Sequence, residues 1–485
     1  MRDRWISQGA SSLSCIINLM NTIVGSGMLA FPHALSQMGI VLGIIVILWS
    51  GLTAAFGLYL QTRCARYLER GGASFFALSQ ITYPNAAVLF DAAIAIKCFG
   101  VGVSYLIIIG DLMPGVIRGL GESSDASLYL VDRQFWITAF MYLPRVFLFR
   151  KLILSRLVVT PLAFLRRLDS LKYTSIVALV SIGYLFILVV YHFTKGDTMA
   201  GRGEIRVVKW AGLIPTLESF PVVVFAYTCH QNMFSILNEI RNNSLKSTTS
   251  IITISIGSAS VLYTIVAITG YLSFGNQVLG NIVGMYVPSI ASTIGKAAIV
   301  ILSVFSYPLQ VHPCRASVDA VIKWRPANWS LARNPINALP SRSMPLLASP
   351  SRTSVRSDSI TELRFAFITT VIIILSYTVA MMVSSFDKVL AYVGSTGSTS
   401  ISFILPGLFY YKISSPESAH HQRLLKEDND DDDSESETGT ARTRRSRSNS
   451  QNSTMLRKLS LALAFYGVIV MGVCLGTNLF AGSAH

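Results

Sequence analysis

The stretch "NTIVGSGMLAFP" occupies residues 21–32 and interrupts an apolar run long enough to cross a membrane. Gly25 and Gly27 are poor helix formers with wide backbone freedom, so around Ser26 they predict an unwound turn near the middle of the bilayer. In hydrocarbon, backbone groups outside a helix are costly unless they line a protein-walled cavity. The stretch therefore predicts a binding site. The alternative, weighted equally from these residues alone, is a close helix contact at the two glycines.

The composition excludes a large soluble protein. Hydrophobic residues make up 52% of the 485 residues and charged residues 13%, against about 25% charged residues in a typical soluble domain. The six cysteines show no paired spacing, so neither a disulfide framework nor a zinc site is predicted. We find no nucleophile elbow, metal cluster or P-loop, and therefore expect no enzyme, no catalytic residue, no metal and no cofactor.

The hydropathy pattern predicts an all-α polytopic membrane protein. One crossing of the bilayer core takes about 20 apolar residues, and that length divides the chain into about eleven transmembrane helices. The predicted spans are residues 11–35, 40–61, 86–117, 135–165, 173–193, 213–236, 249–274, 287–311, 363–385, 389–411 and 459–480.

The net charge of +15 is explained by topology. Arg and Lys concentrate in every second loop, and basic loops mark the cytosolic side. The opposite loops, such as 121–132 and 275–286, are poor in Arg and Lys, and only the loop 194–212 is mixed. The N-terminus (1–10) is predicted to be cytosolic and the tail (481–485) lumenal. The basic charge indicates membrane orientation and no nucleic-acid partner.

Two long segments separate the blocks of helices. Residues 312–362 lie between helices 1–8 (11–311) and helices 9–10 (363–411), and residues 412–458 precede helix 11 (459–480). The first is rich in Pro and Ser, and the second holds "KEDNDDDDSESE" followed by "RTRRSRSNS". Because both lack apolar residues to bury, they are predicted to be disordered cytosolic loops.

A second interruption lies in the sixth span, in "LESFPVVVFAYTCHQNMFSILNEI" (217–240). Pro221 removes a backbone donor, and a polar cluster from Tyr227 to Asn232 follows inside the span. Paired interrupted helices in corresponding positions point to a transporter binding site, and the offset of five spans fits an inverted repeat.

Several stretches together resemble the amino acid/auxin permease family, in particular its fungal vacuolar amino acid transporters. They are "NTIVGSGMLAFPHALSQMG", "IKCFGVGVSYLIIIGDLMP", "FLRRLDSLKYTS", "FAYTCHQNMFSILNEI", "YPLQVHPCRAS" and "YVGSTGSTSISFILPGLFYY". The resemblance implies eleven helices with the five-plus-five inverted repeat of the LeuT fold. It also implies amino acid transport coupled to an ion, which is the proton for the vacuolar branch and sodium for other branches.

The candidate substrate site combines both interruptions. A half-helix N-terminus offers free N–H groups and partial positive charge to a carboxylate, which we place around Ser26 and Gly27. Carbonyls near Phe225 and Tyr227 would hold the ammonium, with Tyr105 as a wall. The predicted substrate-binding residues are Asn21, Thr22, Gly25, Ser26, Gly27, Tyr105, Phe225, Tyr227 and Thr228.

Ion coupling has weaker candidates. His230 could titrate between an acidic lumen and a neutral cytosol, although a histidine held by a structural hydrogen bond explains it equally well. Ser303 and Ser306 lie three residues apart on one helix face and could offer hydroxyls to a cation.

The segment 144–160 departs from the family. It brings Arg145, Arg150, Lys151 and Arg156 into the fourth span, where each basic residue at mid-helix costs about 2.5–3.5 kcal/mol. Two interpretations compete, an interfacial amphipathic segment and a translated intron, and we favour the second.

We therefore expect a secondary active transporter of the vacuolar membrane, whose partners are an amino acid, protons and membrane lipid. Proton-coupled export to the cytosol is the first expectation. Proton-driven uptake into the vacuole and a non-transporting amino acid receptor are the alternatives. The pattern indicates no particular oligomeric state.

Overall fold

The computed structural model describes residues 9–120, 129–142, 174–323, 361–418, 421–422 and 439–481. Within these ranges the regular structure is helical, apart from one isolated bridge between Ala10 and Ile240. The segment 144–160 lies outside the described residues, as do residues 324–360 and 423–438 of the two long segments. For these residues the predicted disorder stays a prediction.

Helices, most of them apolar, account for most of the described chain. In chain order they are α1 (Ser12–Ile23), α2 (Phe31–Met38), α3 (Ile40–Ala65), α4 (Phe75–Thr82), α5 (Ala87–Gly119), α6 (Arg133–Tyr142), α7 (Thr174–Lys195), α8 (Leu213–Ala226), α9 (His230–Glu239), α10 (Leu245–Phe274), α11 (Ile282–Met285), α12 (Ile290–Lys323), α13 (Glu362–Met382), α14 (Phe386–Val393), α15 (Leu405–Ile413) and α16 (Gly439–Ala481).

Among the described residues, seven single helices are long and apolar enough to cross a membrane, and the bent pair at Ser12–Ile23 and Ser26–Met38 makes an eighth if the pair is counted as one span. Three predicted spans differ from this pattern. The sixth is divided into α8 and α9, the tenth is divided into α14 and α15 by widened π-type turns (Gly394–Ser398 and Ser400–Ile404), and the fourth lies partly outside the described residues. The prediction of an all-α polytopic membrane protein is confirmed.

The first break forms where the glycines predict it. α1 begins after Ser11, whose side chain accepts a hydrogen bond from the backbone N–H of Ser14, a typical N-cap. Val24 and Gly25 are extended, and the chain re-enters a 3-10 turn at Ser26–Ala30 before α2. Pro32 lies in the first turn of α2, where its fixed φ suits the helix and no N–H is needed. The two halves differ in direction by 45°.

We name the two ends of the helix bundle after one residue at each end, Arg70 and His33. The Arg70 side carries the start of α1 and the end of α9, where Arg70 donates to the carbonyls of Ile240 and Arg241. The His33 side carries α2 and the start of α14, where His33 lies 3.8 Å from Asp387. Successive spans run between these sides, so both breaks lie between them, inside the bundle.

The last helix is longer than its predicted span. α16 begins at Gly439, inside the segment whose composition predicts disorder, and continues without interruption into the apolar part. Ala and Arg are strong helix formers, and the preceding stretch "GTARTRRSR" extends the helix beyond the apolar residues.

Candidate functional site

The two helix breaks meet at Gly27. A Cβ atom placed on Gly27 would lie 2.9 Å from the Cβ of Ala226 and 3.4 Å from Cδ1 of Phe225. Ala226 is the last residue of α8 and is followed by the second break at Tyr227. Because the missing side chain lets the backbones approach, Gly27 joins the two breaks. The helix-contact interpretation therefore describes Gly27.

Gly25 has different surroundings. A Cβ atom placed there would meet no heavy atom within 4 Å, although the neighbours Val24 and Ser26 are buried. The side chain that Gly25 lacks would point into open space at the first break. The side-chain oxygen of Asn21, one turn earlier, is buried without a hydrogen-bond partner among the described residues. Gly25 therefore has the position expected for a wall of a binding space.

The first break leaves three consecutive backbone donors unused. Val24 N–H is bound to the Met20 carbonyl and Met28 N–H to the Gly25 carbonyl. The N–H groups of the residues between them, 25 to 27, find no acceptor in the described part of the chain. They form the N-terminal end of the Ser26–Ala30 turn, where free N–H groups and the helix dipole favour an anion.

A hydroxyl cluster lies beside these donors. The Tyr105 side chain, from the middle of α5, lies close to the side chains of Ser26 and Ser306. Ser26 belongs to the first break and Ser306 to α12. The structure thus brings together three predicted site residues from three separate spans.

The other predicted residues serve the scaffold. Thr22 donates to the Asn18 carbonyl and accepts from Asn232 at 2.8 Å, which links α1 to α9. Ser303 donates to the Ile299 carbonyl one turn earlier in its own helix. These two hydroxyls are engaged in holding helices.

The residues of the second break are also bonded to their surroundings. Tyr227 donates to Ser260 of α10 at 2.8 Å, and Thr228 donates to the Val224 carbonyl at 2.9 Å. The Nε2 atom of the fully buried His230 lies 3.1 Å from the Ala54 carbonyl of α3, and its Nδ1 atom has no partner in the described structure. The structural hydrogen bond expected as the alternative for His230 is present, and one ring nitrogen remains free.

Sequence reasoning missed Tyr263, which connects both breaks. Its hydroxyl lies 2.7 Å from the Ile23 carbonyl at the end of α1 and 2.9 Å from the Ala226 carbonyl at the end of α8. A signal existed, because a tyrosine in the middle of an apolar span needs a partner for its hydroxyl. The sequence contained nothing to identify that partner.

A cavity of about 290 Å³ lies on the His33 side of the breaks. Ala30 and His33 line it from the first span, Glu218 from α8 and Asp387 from α14. Since Ala30 ends the 3-10 turn that begins at Ser26, the cavity starts about one helical turn from the unused N–H groups. It contains acidic, basic and imidazole side chains, in contrast to the apolar spans around it.

On the Arg70 side, hydrogen bonds connect elements that are distant in the sequence. Asn238 of α9 makes two hydrogen bonds with the backbone of Ala73, of 2.8 and 3.0 Å. Ala10 pairs with the chain around Ile240 through its N–H and carbonyl groups. The described structure therefore holds a cavity on one side of the breaks and a hydrogen-bonded closure on the other.

Metal binding has no support within the described ranges, which contain no group of three or more His, Cys, Asp or Glu side chains suited to an ion. The six cysteines are free and buried.

The whole-chain comparisons agree with this architecture. The sequence profile of the family "Transmembrane amino acid transporter protein" matches residues 8–429. Vacuolar amino acid transporter 5 of Schizosaccharomyces pombe is 40% identical over 475 residues, with 97% of this chain and 94% of that protein covered. Vacuolar amino acid transporter 6 of Saccharomyces cerevisiae is 39% identical over 426 residues, with 84% and 91% covered.

The fold has a counterpart among solved structures. The crystal structure of MhsT in complex with L-phenylalanine matches with a TM-score of 0.50 and 12% sequence identity, covering 97% of this chain and 99% of that one. At this identity the likeness concerns the fold alone. The fold is that of the LeuT-like transporters, with its first and sixth helices broken, as predicted.

Proposed function

Because this chain belongs to the transmembrane amino acid transporter protein family, we propose that it is a secondary active amino acid transporter of the vacuolar membrane. It exports amino acids from the vacuole to the cytosol while protons move down their gradient from an acidic lumen. It is a transporter and performs no enzymatic reaction. The relatives that carry the name vacuolar amino acid transporter support the substrate class and the organelle.

The observation that carries this proposal is the set of unused N–H groups at residues 25–27. A substrate carboxylate requires several convergent donors in a place that excludes water, and three consecutive amides at a helix N-terminus supply them. The open space at Gly25 gives the carboxylate room to approach. Hydrogen bonds to a charged group contribute about 1.5–3 kcal/mol each, which fits reversible binding.

The ammonium group is assigned to the second break. The Tyr227 carbonyl has no donor among the described residues, whereas the Phe225 carbonyl accepts the N–H groups of Tyr227 and Thr228. Phe225 lies in the last turn of α8 and Tyr227 directly follows that helix, where the dipole favours a cation. Tyr105, which lies close to Ser26 and Ser306, forms the opposite wall.

The two sides of the bundle suggest how access alternates. The basic loops assign the Arg70 side to the cytosol and the His33 side to the lumen. In this arrangement the cavity beside His33 admits substrate from the lumen, and the Asn238–Ala73 hydrogen bonds close the cytosolic path. Release to the cytosol then requires α1 and α9 to leave Ala73 and Arg70.

Proton coupling is assigned to groups near this path. His230 keeps one ring nitrogen free inside the bundle, and the Ser306 side chain lies close to Ser26 of the first break. A group that gains a proton on the acidic side and loses it on the neutral side moves that proton with the substrate. His230 is the candidate whose chemistry fits this exchange.

Flux measurements on the reconstituted protein test the proposal. Proteoliposomes loaded with a radiolabelled amino acid mixture are given an acidic or a neutral interior, and efflux and uptake are followed with protein in defined orientation. If the protein exports amino acids, efflux should accelerate when the vesicle interior is acidic and the His33 side of the protein faces that interior. Uptake that requires the same gradient would favour the first alternative, and binding without flux in either condition would favour the receptor.

A further inference from the structure

We infer that Tyr263 is the positioning residue that holds the two helix breaks in the arrangement that binds substrate; this inference rests on the proposed function. The tyrosine is fully buried in α10. Its hydroxyl reaches the Ile23 carbonyl, where α1 ends, and the Ala226 carbonyl, where α8 ends. One side chain therefore contacts the last residue before each break.

The chemistry of these carbonyls explains the need for a donor. The last carbonyls of a helix have no partner inside it and carry partial negative charge. At the breaks two such ends converge inside the bundle, where no bulk water can satisfy them. The Tyr263 hydroxyl supplies one proton that both carbonyls share, so it holds the two helix ends together across the site.

The ring contributes a second set of contacts. It stacks on Phe31, the first residue of α2, with ring centres 4.3 Å apart, and meets Tyr227 edge-on at 5.2 Å. Phe31 follows the first break and Tyr227 lies in the second. Tyr263 thus contacts the chain before and after the unused N–H groups and fixes their distance from the Phe225 and Tyr227 carbonyls. It does not need to touch the substrate to do so.

The same helix offers a matched control. Tyr271 lies two turns further along α10, is also fully buried, and accepts the Arg206 backbone N–H at 2.7 Å. Tyr263→Phe and Tyr271→Phe each remove one buried hydroxyl and keep the ring. A tyrosine that only stabilised the fold would behave alike in the two variants, so transport parameters separate the two roles.

We expect Tyr263→Phe to raise the apparent KM for the transported amino acid at least tenfold, with a maximal rate within about twofold of the parent protein. Tyr271→Phe should lower the melting temperature by about as much as Tyr263→Phe does, but it should leave the KM and the maximal rate unchanged. The KM difference reports the geometry of the bound state, because the donor and acceptor groups remain present and only their relative position changes. Equal KM values for the two variants would overturn the inference.

A second readout needs no substrate. Cys229 lies in the second break, three residues after Ala226, and is fully buried. We expect N-ethylmaleimide to modify it at least fivefold faster in Tyr263→Phe than in Tyr271→Phe, as measured by mass spectrometry of the peptide. Equal rates would contradict the positioning role. A parent protein that neither binds nor moves amino acids would instead contradict the proposed function, whatever the labelling shows.

If Tyr263→Phe does not fold, Phe31→Leu provides a second test of the same inference. This variant removes the ring that Tyr263 stacks on and leaves its hydroxyl in place. We expect a smaller rise in KM, about threefold, together with faster Cys229 modification. A folded Phe31→Leu protein with parental KM and parental labelling would overturn the inference on its own.

Discussion

Gly27 and Ala226 hold the two helix breaks against each other: a Cβ atom at residue 27 would stand 2.9 Å from the Cβ of Ala226 and 3.1 Å from its Cα. These residues are 199 positions apart, the difference between 226 and 27. Neither carries a functional group, and the contact depends only on their small size. It explains how an unwound turn in the first span can share one site with an unwound turn in the sixth.

This contact predicts a compensating pair of substitutions. Gly27→Ala inserts a methyl group against Ala226 and should destabilise the protein by about 1–3 kcal/mol, the usual cost of overpacking. Adding Ala226→Gly removes the opposing methyl and should recover most of that loss. The melting temperatures of the parent, both single variants and the double variant together give the interaction energy between residues 27 and 226. Purely additive losses would show that the two residues do not touch.

The hydroxyl cluster predicts an effect on affinity. Tyr105→Phe removes a hydroxyl that lies close to Ser26 and Ser306 and should weaken amino acid binding roughly two- to tenfold, the worth of one hydrogen bond to the substrate. Tyr184→Phe is the control, because its hydroxyl donates to the Ala291 carbonyl at 2.9 Å, between α7 and α12. Radioligand binding distinguishes them. Similar losses in both variants would remove Tyr105 from the site.

The closure on the Arg70 side predicts a change in dynamics. Asn238→Ala deletes both hydrogen bonds to Ala73, so α9 should separate more often from the α3–α4 connection. Amide hydrogen exchange of residues 230–241 should accelerate at least fivefold. Asn242→Ala, which loses only a local bond to the Ser244 N–H, should leave that exchange unchanged. Unaltered exchange in Asn238→Ala would mean that these bonds do not hold the closure.

The carboxylate of Asp197, which lies just beyond the end of α7, predicts a dependence on pH. Burial acts to raise the pKa of Asp197, but the hydrogen bond and charge of His192, aided by Lys195, outweigh it and lower the pKa below its usual value. A depressed carboxyl pKa adds stability at pH values above the unfolded-state pKa, about 3.9, and the contribution is lost as pH falls through the folded-state pKa.

Asp197→Asn should therefore lower the melting temperature at pH 5, and its difference from the parent protein should shrink as the pH falls from 4 toward 3. The parent protein consequently keeps this contact at moderately acidic pH. Thermal unfolding in detergent across this range is the measurement. A difference that grows toward pH 3 would have the wrong sign for this account.

The sequence was sufficient for features that depend on local backbone chemistry. Gly25 and Gly27 predicted an interruption in the first span, and the polar cluster that begins at Tyr227 predicted one in the sixth; both are present, whereas Pro221 lies inside α8 without breaking it. Apolar length predicted an all-helical membrane protein, because hydrocarbon leaves the backbone few alternatives to a helix. These predictions need only the residues of one span and a knowledge of the surrounding solvent.

The contacts across the site could not be predicted in the same way. Tyr263 reaches a carbonyl 240 positions away, and backbone carbonyls carry no sequence signal of their own. Gly25 and Gly27 look equivalent in the sequence, yet one faces open space and the other faces Ala226. Thr228 and Ser303 looked like ligands because they are polar residues in a span, but helix carbonyls of the scaffold already satisfy their hydroxyls.

The central claim is that the space at Gly25 receives the substrate carboxylate, and equilibrium binding tests it most directly. Gly25→Val fills a space that is empty in the structure, whereas Gly257→Val places the same group at an exposed position of α10 where a Cβ also meets no atom. For both variants we measure binding of the amino acid that most stabilises the parent protein in a thermal-shift screen. The account predicts that both fold, that Gly257→Val binds like the parent, and that Gly25→Val binds at least a hundredfold more weakly. A folded Gly25→Val protein with an affinity within threefold of the parent would contradict it.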